Sequence, residues 1–208
     1  MSGCAVSGKS LIHSPSADGA MPIKHFSHHG GATKNAPPDA VLLAPPEDDS
    51  IEILVQAQRL KDQNQWAGIG IPIFPVFFFP SNNHYEDSPN SLIVRFSILS
   101  DDSLTFNSDS ITLRTQGNNF SSQSSQYKGE AFSNSLTFNP KTDSIDVSYA
   151  HDGFMYYLDF IELKFPVDAF EVDTFQLIVD GIYKENKKLS FPIIEFKKTN
   201  QRFFYMGP

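Results

Sequence analysis

The sequence of 208 residues is poor in cysteine, tryptophan and charge, with one Cys, one Trp and 19% charged residues. A single cysteine excludes an internal disulfide framework and a structural zinc site built from cysteines. The net charge of −8 repels a phosphate backbone, so we expect no nucleic-acid partner. Neither the glycine-rich loop of a dinucleotide site nor a GxSxG serine elbow is present, and we therefore expect no cofactor.

Phenylalanine is abundant instead, and it indicates the fold class. Nineteen Phe and seven Tyr favour strands, while twelve Gly and fourteen Pro indicate frequent turns. From Ser50 onward, short segments alternate between apolar and polar residues, as in Leu92–Ile98 and Phe175–Val179. Short strands at this spacing are typical of a sandwich. We predict an all-β fold, an immunoglobulin-like antiparallel β-sandwich over residues 50–208.

Three features of this region leave alternatives open. Ile51–Ala57 alternates like a strand, although Asp49–Glu52 imitates a helix capping box, and we favour the strand. The polar run Gln116–Gly129 is predicted as a loop long enough to be either mobile or functional. The C-terminal lysines either protect sheet edges or contact an acidic partner or anionic headgroups, and we favour edge protection. These lysines are Lys184, Lys187, Lys188, Lys197 and Lys198.

The first 49 residues differ in composition from the rest of the chain. Six prolines interrupt them, and only Leu11–Ile12 and Val41–Leu43 provide apolar groups for packing. Such a segment buries too little surface to offset its ordering entropy. We predict a flexible polar tether over residues 1–49, with a reach of roughly 35–40 Å.

The residues Gly3–Ser10 read GCAVSGKS and match the phosphate-binding pattern GxxxxGK[ST]. That loop requires a buried strand before it and a helix after it. Only two residues precede this one, and Pro15, Gly19 and Pro22 interrupt the segment that follows. We therefore expect no nucleotide site here.

The same residues carry a second motif, in which the small residues Ser2 and Gly3 precede Cys4. This motif resembles the end of the lipobox of bacterial envelope lipoproteins, whose cysteine is acylated and becomes the mature N-terminus. The resemblance implies a membrane anchor at Cys4 and a place in the bacterial cell envelope, on the periplasmic side of a membrane. Without the lipid, we expect a secreted protein. The alternative for Cys4 is an inert thiol near an ordinary N-terminus.

An uncharged run of fifteen residues, Trp66–Pro80, precedes the main series of predicted strands. Its three prolines and two glycines forbid a continuous helix, and it is shorter than the about 20 residues that cross a bilayer. We expect it to be buried, with Phe77 and Phe79 on one side and Phe78 on the other. The alternative is an exposed surface for a partner, formed by Trp66 and these three phenylalanines.

Metal and catalytic groupings are weak in this sequence. The histidines His25, His28 and His29 have no nearby carboxylate or thiolate to complete a metal site, so we expect none. Acidic residues available for paired-carboxylate chemistry belong to no recognisable motif. They are Asp152, Asp159, Glu162, Asp168, Glu171 and Asp173.

Two functions follow from these observations. The first is a non-enzymatic cell-envelope lipoprotein whose β-sandwich binds a protein or a glycan. The second is a secreted carbohydrate-active or other hydrolytic β-domain that uses Asp/Glu pairs. We favour the first, because no motif for catalysis is present.

Overall fold

A computed structural model describes residues 3–23, 39–71, 74–75, 82–84, 91–140, 148–149, 155–156 and 160–206, with side chains at 9, 11–23, 39–60, 91–140 and 160–201. Within these ranges the chain forms strands, apart from one turn of 3₁₀-helix at Ser108–Ser110. The strands are β1 (Gly3–Ser16), β2 (Ala40–Leu43), β3 (Glu52–Ala57), β4 (Lys61–Ile71), β5 (Phe74–Pro75), β6 (Asn82–His84), β7 (Leu92–Leu99), β8 (Leu104–Asn107), β9 (Ile111–Thr115), β10 (Asn118–Phe120), β11 (Ser124–Tyr127), β12 (Glu130–Ala131), β13 (Ser135–Phe138), β14 (Ser148–Tyr149), β15 (Met155–Tyr156), β16 (Phe160–Phe165), β17 (Thr174–Val179), β18 (Ile182–Lys184), β19 (Lys187–Lys188) and β20 (Ile194–Met206).

Two large antiparallel sheets make up most of the fold. The first has the strand order β10-β9-β17-β20-β1-β4-β5, with β6 also paired to β4. The second has the order β12-β11-β16-β7-β3-β2. A four-stranded sheet, β13-β8-β18-β19, and the pair β14-β15 complete the described strands. The predicted all-β class and the packing of antiparallel sheets into a sandwich are confirmed.

Alternating apolar residues from the sheets form one continuous core. Along β7, Leu92, Val94 and Phe96 are fully buried, and the Phe96 ring meets Phe106 of β8 edge to face at 5.4 Å between centroids. In the first sheet, Phe175 of β17 and Phe196 of β20 stack at 4.6 Å. The strand predicted over residues 51–57 is confirmed as β3, whose period-two pattern turns one face to this core.

Three tight turns set the register of the smaller hairpins. Positive φ angles occur at both central residues of Gln116–Gly117, Lys128–Gly129 and Glu185–Asn186. This backbone is the type I′ turn, whose twist matches that of the strands it joins. The first two turns lie in the region 116–129 that was predicted as a loop, and that prediction is wrong because β10 and β11 form there.

The predicted flexible tether over residues 1–49 is wrong for the described part of that segment. Gly3–Ser16 forms β1, which lies between β20 and β4 in the first sheet. Ala40–Leu43 forms β2 at the edge of the second sheet, with Val41, Leu42 and Leu43 buried. A strand with a partner on each side satisfies its backbone groups on both edges, so β1 is held without the apolar content that the prediction required. Residues 24–38 lie outside the described part.

Candidate functional site

The strands β4, β1 and β20 continue past the point where β17 stops, and β5 pairs with the end of β4 at Gly70 and Ile71. Strand β17 pairs with β20 only from Ile194 to Lys197. Strand β1 pairs with β20 as far as Met206 and with β4 as far as Gly70. We call this three-stranded extension the ribbon, and its last part, residues 3–7, 66–70 and 204–206, the ribbon end.

The register places uncharged residues together throughout the ribbon end. Cys4 lies opposite Ile69, and the next two rows of residues are Gly68–Ala5–Met206 and Ala67–Val6–Tyr205. Ser7 lies between Trp66 and Phe204, and cross-strand partners of this kind share one face of a sheet. The sequence analysis singled out Cys4 and Trp66 separately. The register places them on neighbouring strands, three rows of paired residues apart.

The first charged row lies just beyond a β-bulge. The register of β1 and β4 shifts between Ser7 and Gly8. Two rows further along β1 from Ser7, Lys9 lies between Gln63 and Arg202. Lys61 follows in β4, opposite Leu11. Asp62 lies between these two rows, opposite Ser10, so the ribbon changes within a few residues from uncharged to charged, with basic residues in excess.

Several predicted site residues lie outside the described residues. They are Phe77, Phe78 and Phe79 of the apolar run, the histidines His25, His28 and His29, and the acids Asp152 and Asp159. Strand β4 includes Trp66–Ile71, and β5 includes Phe74 and Pro75, so the first part of the apolar run is extended. The burial of the run stays a prediction.

The phosphate-loop pattern lies within β1. Gly3–Ser10 is extended and is paired to β4, and from Ala5 onward also to β20. A phosphate loop needs its backbone N–H groups turned toward the anion. In β1 these groups belong to the ladders of two neighbouring strands, which agrees with the rejection of a nucleotide site.

A polar row crosses the outer face of the second sheet, and sequence reasoning missed it. The register aligns Gln56, Arg95, Glu162 and Gln126 on four neighbouring strands. Their neighbours along the strands, such as Phe96 and Ile161, point to the core. Arg95 Nε donates to Glu162 Oε2 at 2.8 Å, and its guanidinium lies 4.4 Å from the centroid of the Phe160 ring.

A buried carboxylate closes one end of this row. Asp39, fully buried just before β2, accepts hydrogen bonds at Oδ2 from Arg59 Nε at 2.7 Å and from Gln56 Nε2 at 3.0 Å. The same outer face is covered nearby by Met21, whose N–H donates to the Leu42 carbonyl at 2.9 Å. Asp39 is thus bonded to two buried side chains, and such charge-assisted hydrogen bonds stabilise the fold.

A second buried polar group lies in β1. His13 is fully buried, its Nε2 lies 2.9 Å from the Val172 carbonyl oxygen, and its ring meets Phe175 edge to face at 5.2 Å. Burial lowers the pKa of His13, and the charge of Lys198, its cross-strand partner in β20, lowers it further. His13 is therefore neutral at pH 7 and donates from Nε2 to Val172.

Three of the five C-terminal lysines are held in ion pairs. Lys184 Nζ bonds Asp48 Oδ2 and Asp102 Oδ2, each at 2.6 Å. Lys188 pairs with Asp180 and Lys198 with Asp173. Lys187 and Lys188 form β19, the edge of the four-stranded sheet, which is the position expected for edge protection.

Of the four described candidate acids, Glu162, Asp168 and Asp173 are each engaged in a separate contact, and Glu171 is exposed. Glu162 pairs with Arg95, and Asp173 with Lys198. Asp168 Oδ1 accepts from the N–H groups of Phe170 and Glu171 and so closes a turn. Within the described residues, no three His, Cys, Asp or Glu side chains converge as a metal site would require.

Comparison with known proteins found no relative: no family model, no curated protein and no solved structure matches the chain. Among the described residues there is also no helix with the length and apolarity needed to cross a membrane. The functional argument therefore depends on the residues of this chain alone.

Proposed function

We propose that the protein is a non-enzymatic lipoprotein of the bacterial cell envelope, acylated at Cys4, whose β-sandwich serves as a binding module. The observation that carries the proposal is the place of Cys4. It lies near the start of β1, in the uncharged ribbon end, with Ile69 opposite and Met206 in the next row. An acyl chain on Cys4 would leave the sheet where its neighbours are also apolar.

The position of β1 changes the geometry expected for such an anchor. A tether over residues 1–49 would have kept the domain roughly 35–40 Å from the lipid. With Cys4 as the second residue of β1, the anchor is part of the folded sheet itself. The ribbon end would then lie at the membrane surface, on the periplasmic side, with the sandwich above it.

The partner of the sandwich belongs to the same proposal. Strand direction places the hairpin β18–β19 at the end of the first sheet opposite the ribbon end, because Leu177 of β17 pairs with Ile194 at the start of β20. This end also carries Ile193, whose side chain is exposed just before β20. We propose that it faces away from the membrane and contacts a protein or glycan partner. The immunoglobulin-like topology is part of this proposal.

The competing function is a secreted carbohydrate-active or other hydrolytic β-domain with paired carboxylates. A pair that acts on a glycoside needs two acids facing one cleft, about 5–10 Å apart. Three of the four described candidates are instead bonded to a cation or to turn N–H groups, namely Glu162, Asp173 and Asp168, while Glu171 is exposed. Their engagement supports the non-enzymatic proposal.

The test is the chemical state of Cys4 in protein expressed in a bacterium from the native gene with its upstream sequence. We expect the protein in the membrane fraction, with a diacylglyceryl group on Cys4 detected by mass spectrometry of the N-terminal peptide. After a high-salt wash, Cys4→Ser protein should leave the membrane fraction, whereas the matched control Ser7→Ala should stay in it. Soluble protein with a free Cys4 thiol would refute the proposal.

A further inference from the structure

We infer that the ribbon end is a membrane-contact surface in its own right, which lies in the headgroup region of an anionic bilayer. The inference rests on the proposed function for the location of the protein, and it extends that function from a lipid chain to a protein surface. The proposed partner is a lipid surface. Along the ribbon, uncharged residues come first, then aromatic residues and then basic residues, which is the order of groups that a membrane interface favours.

The apolar part of this order is the ribbon end. Five successive rows of paired residues, from Gly3–Gly70 to the row of Ser7, contain no charged residue on any of the three strands. At about 3.3 Å per residue, five rows span roughly 13 Å along the strands. Three neighbouring strand ends without a charged residue over this length have the composition expected where a protein contacts an apolar phase.

The basic part begins directly behind it. Lys9 and Arg202 are cross-strand partners, and Lys61 lies two rows further from the ribbon end. Asp62 lies in the row between them, so these rows carry three basic residues and one acidic residue, an excess of positive charge in a chain whose net charge is −8. Basic residues at such a boundary meet the phosphates of anionic lipids when the apolar part enters the interface.

Aromatic residues occupy the boundary between the two parts. Trp66 and Phe204 lie in the row of Ser7, Tyr205 lies one row closer to the ribbon end, and Phe203 lies one row toward Lys9. Trp and Tyr prefer the water–membrane interface, because they combine an apolar ring with a polar group. Their level along the ribbon is the level at which this inference places the headgroups.

Backbone hydrogen bonding limits the depth of insertion. Among the described strands, β20 has no partner on its outer side from Thr199 to Met206, beyond the bond of the Lys198 N–H to the Asp173 carbonyl. Unpaired N–H and C=O groups are too costly in the hydrocarbon region. The ribbon end must therefore stay in the hydrated headgroup region and cannot cross the bilayer.

The experiment uses full-length Cys4→Ser protein, which cannot be acylated, so that it tests the surface and not the anchor. Trp66 is the only tryptophan of the chain, and its emission reports on the ribbon end without further labelling. With vesicles of phosphatidylglycerol and phosphatidylethanolamine, we expect a blue shift of Trp66 emission and co-flotation of the protein. Phosphatidylcholine vesicles and high salt should weaken both effects.

Variants locate the contact. Lys9→Glu in the Cys4→Ser background should lower the partition coefficient about fivefold or more, because it reverses a charge at the boundary. Lys187→Glu makes the same charge change at the opposite end of the sheet, and Ile193→Ser removes an exposed apolar group there. We expect both controls to bind like the parent.

Each outcome decides the inference. It is overturned if Trp66 emission does not respond to anionic vesicles, if Lys187→Glu weakens binding as much as Lys9→Glu, or if Trp66 shifts with protein concentration alone, which would indicate a contact between two copies. Mass spectrometry of Cys4 in the native protein answers the separate question of acylation. Either result can fail without the other.

Discussion

The Nε2 atom of His13 lies 2.9 Å from the carbonyl oxygen of Val172, 159 residues away in sequence. This contact joins the first strand to the turn that precedes β17, deep enough that His13 is fully buried. Next to it, Lys198 is the cross-strand partner of His13 and forms an ion pair with Asp173. The N-terminal strand is thus fixed by a buried side chain as well as by its backbone ladders.

The first prediction concerns the pH dependence of stability that follows from His13. Burial lowers the pKa of His13 below its usual 6.5, and Lys198 acts in the same direction, while the Val172 carbonyl and Asp173 oppose it. The unfolded chain therefore binds a proton at a higher pH than the folded protein does. The contribution of His13 to the free energy of unfolding is complete above about pH 6.5 and is lost progressively as the pH falls toward its folded pKa.

Urea unfolding between pH 5 and pH 8 measures this dependence. His13→Gln retains a side-chain donor but does not titrate, so we expect its stability to fall less than that of the parent between pH 6.5 and pH 5. The other five histidines are common to both proteins, and the difference between the curves isolates His13. Parallel curves for the two proteins would show that His13 does not lose its charge on folding.

The second prediction concerns the buried ion pair of Asp39 and Arg59. Removing one partner leaves the other charge buried and uncompensated, which typically costs about 3–5 kcal/mol. We expect Asp39→Ala and Arg59→Met each to lower the free energy of unfolding by about this amount. The double variant should lose less than the sum, because neither charge is then left alone.

A double-mutant cycle by urea unfolding checks this coupling. Arg114→Met serves as the matched control, since Arg114 is exposed on β9 and bonds only Asn119 within the described residues. We expect it to change stability by less than about 0.5 kcal/mol. Additive losses for Asp39→Ala and Arg59→Met would show that the two charges do not depend on each other.

The third prediction concerns Gly181, where space and not backbone conformation requires glycine. A Cβ built at Gly181 would collide with the backbone oxygen of Asn107, whose N–H in turn donates to the Gly181 carbonyl at 2.6 Å. Gly181→Ala must therefore move β8 away from the chain before β18, and we expect a loss of about 2 kcal/mol or more.

Gly129→Ala provides the contrast for this measurement. Gly129 has φ +82° in a type I′ turn and nothing within 4 Å of a Cβ position. Its substitution carries only the conformational cost of a left-handed residue, about 1–2 kcal/mol. In thermal and urea unfolding, Gly181→Ala should be less stable than Gly129→Ala. The reverse order would mean that the close approach at Asn107 relaxes easily.

Strands that turn an apolar face to the core could be predicted from their alternating residues. Strands that are held mainly by backbone pairing with neighbouring strands could not. The alternation of Phe175, Leu177 and Val179 identified β17, because all three are buried on one face. Strand β1 has only a few apolar residues, and its pairing with β4 and β20 is a property of distant segments. No local pattern in GCAVSGKSLIHSPS reports a ladder formed with residues 61–70 and 195–206.

The candidate sites divide in the same way. Cys4 and Trp66 were visible in the sequence as single residues, but their closeness in the ribbon depends on register. The contact of Asp39 with Arg59 was missed because Asp39 follows two prolines in a segment without periodicity. Its burial is decided by chain that packs over the outer face of the second sheet, such as Met21.

The last prediction concerns Asp48 and Lys184, which join the chain before β3 to the hairpin β18–β19. Hydrogen bonds from Lys184 and from Ser50 lower the pKa of the Asp48 carboxyl to about 2. Its contribution to stability is therefore present above its unfolded pKa of about 3.8 and is lost as the pH falls through about 2.

NMR titration of the Asp48 carboxyl carbon should give the folded pKa of about 2 directly. Lys184→Gln removes the largest cause and should raise the pKa toward 3.8, whereas Lys187→Gln, on the same hairpin but outside this contact, should leave it near 2. An unchanged Asp48 pKa in Lys184→Gln would mean that the ion pair does not form in solution, and that residues 44–50 are not held to the hairpin by it.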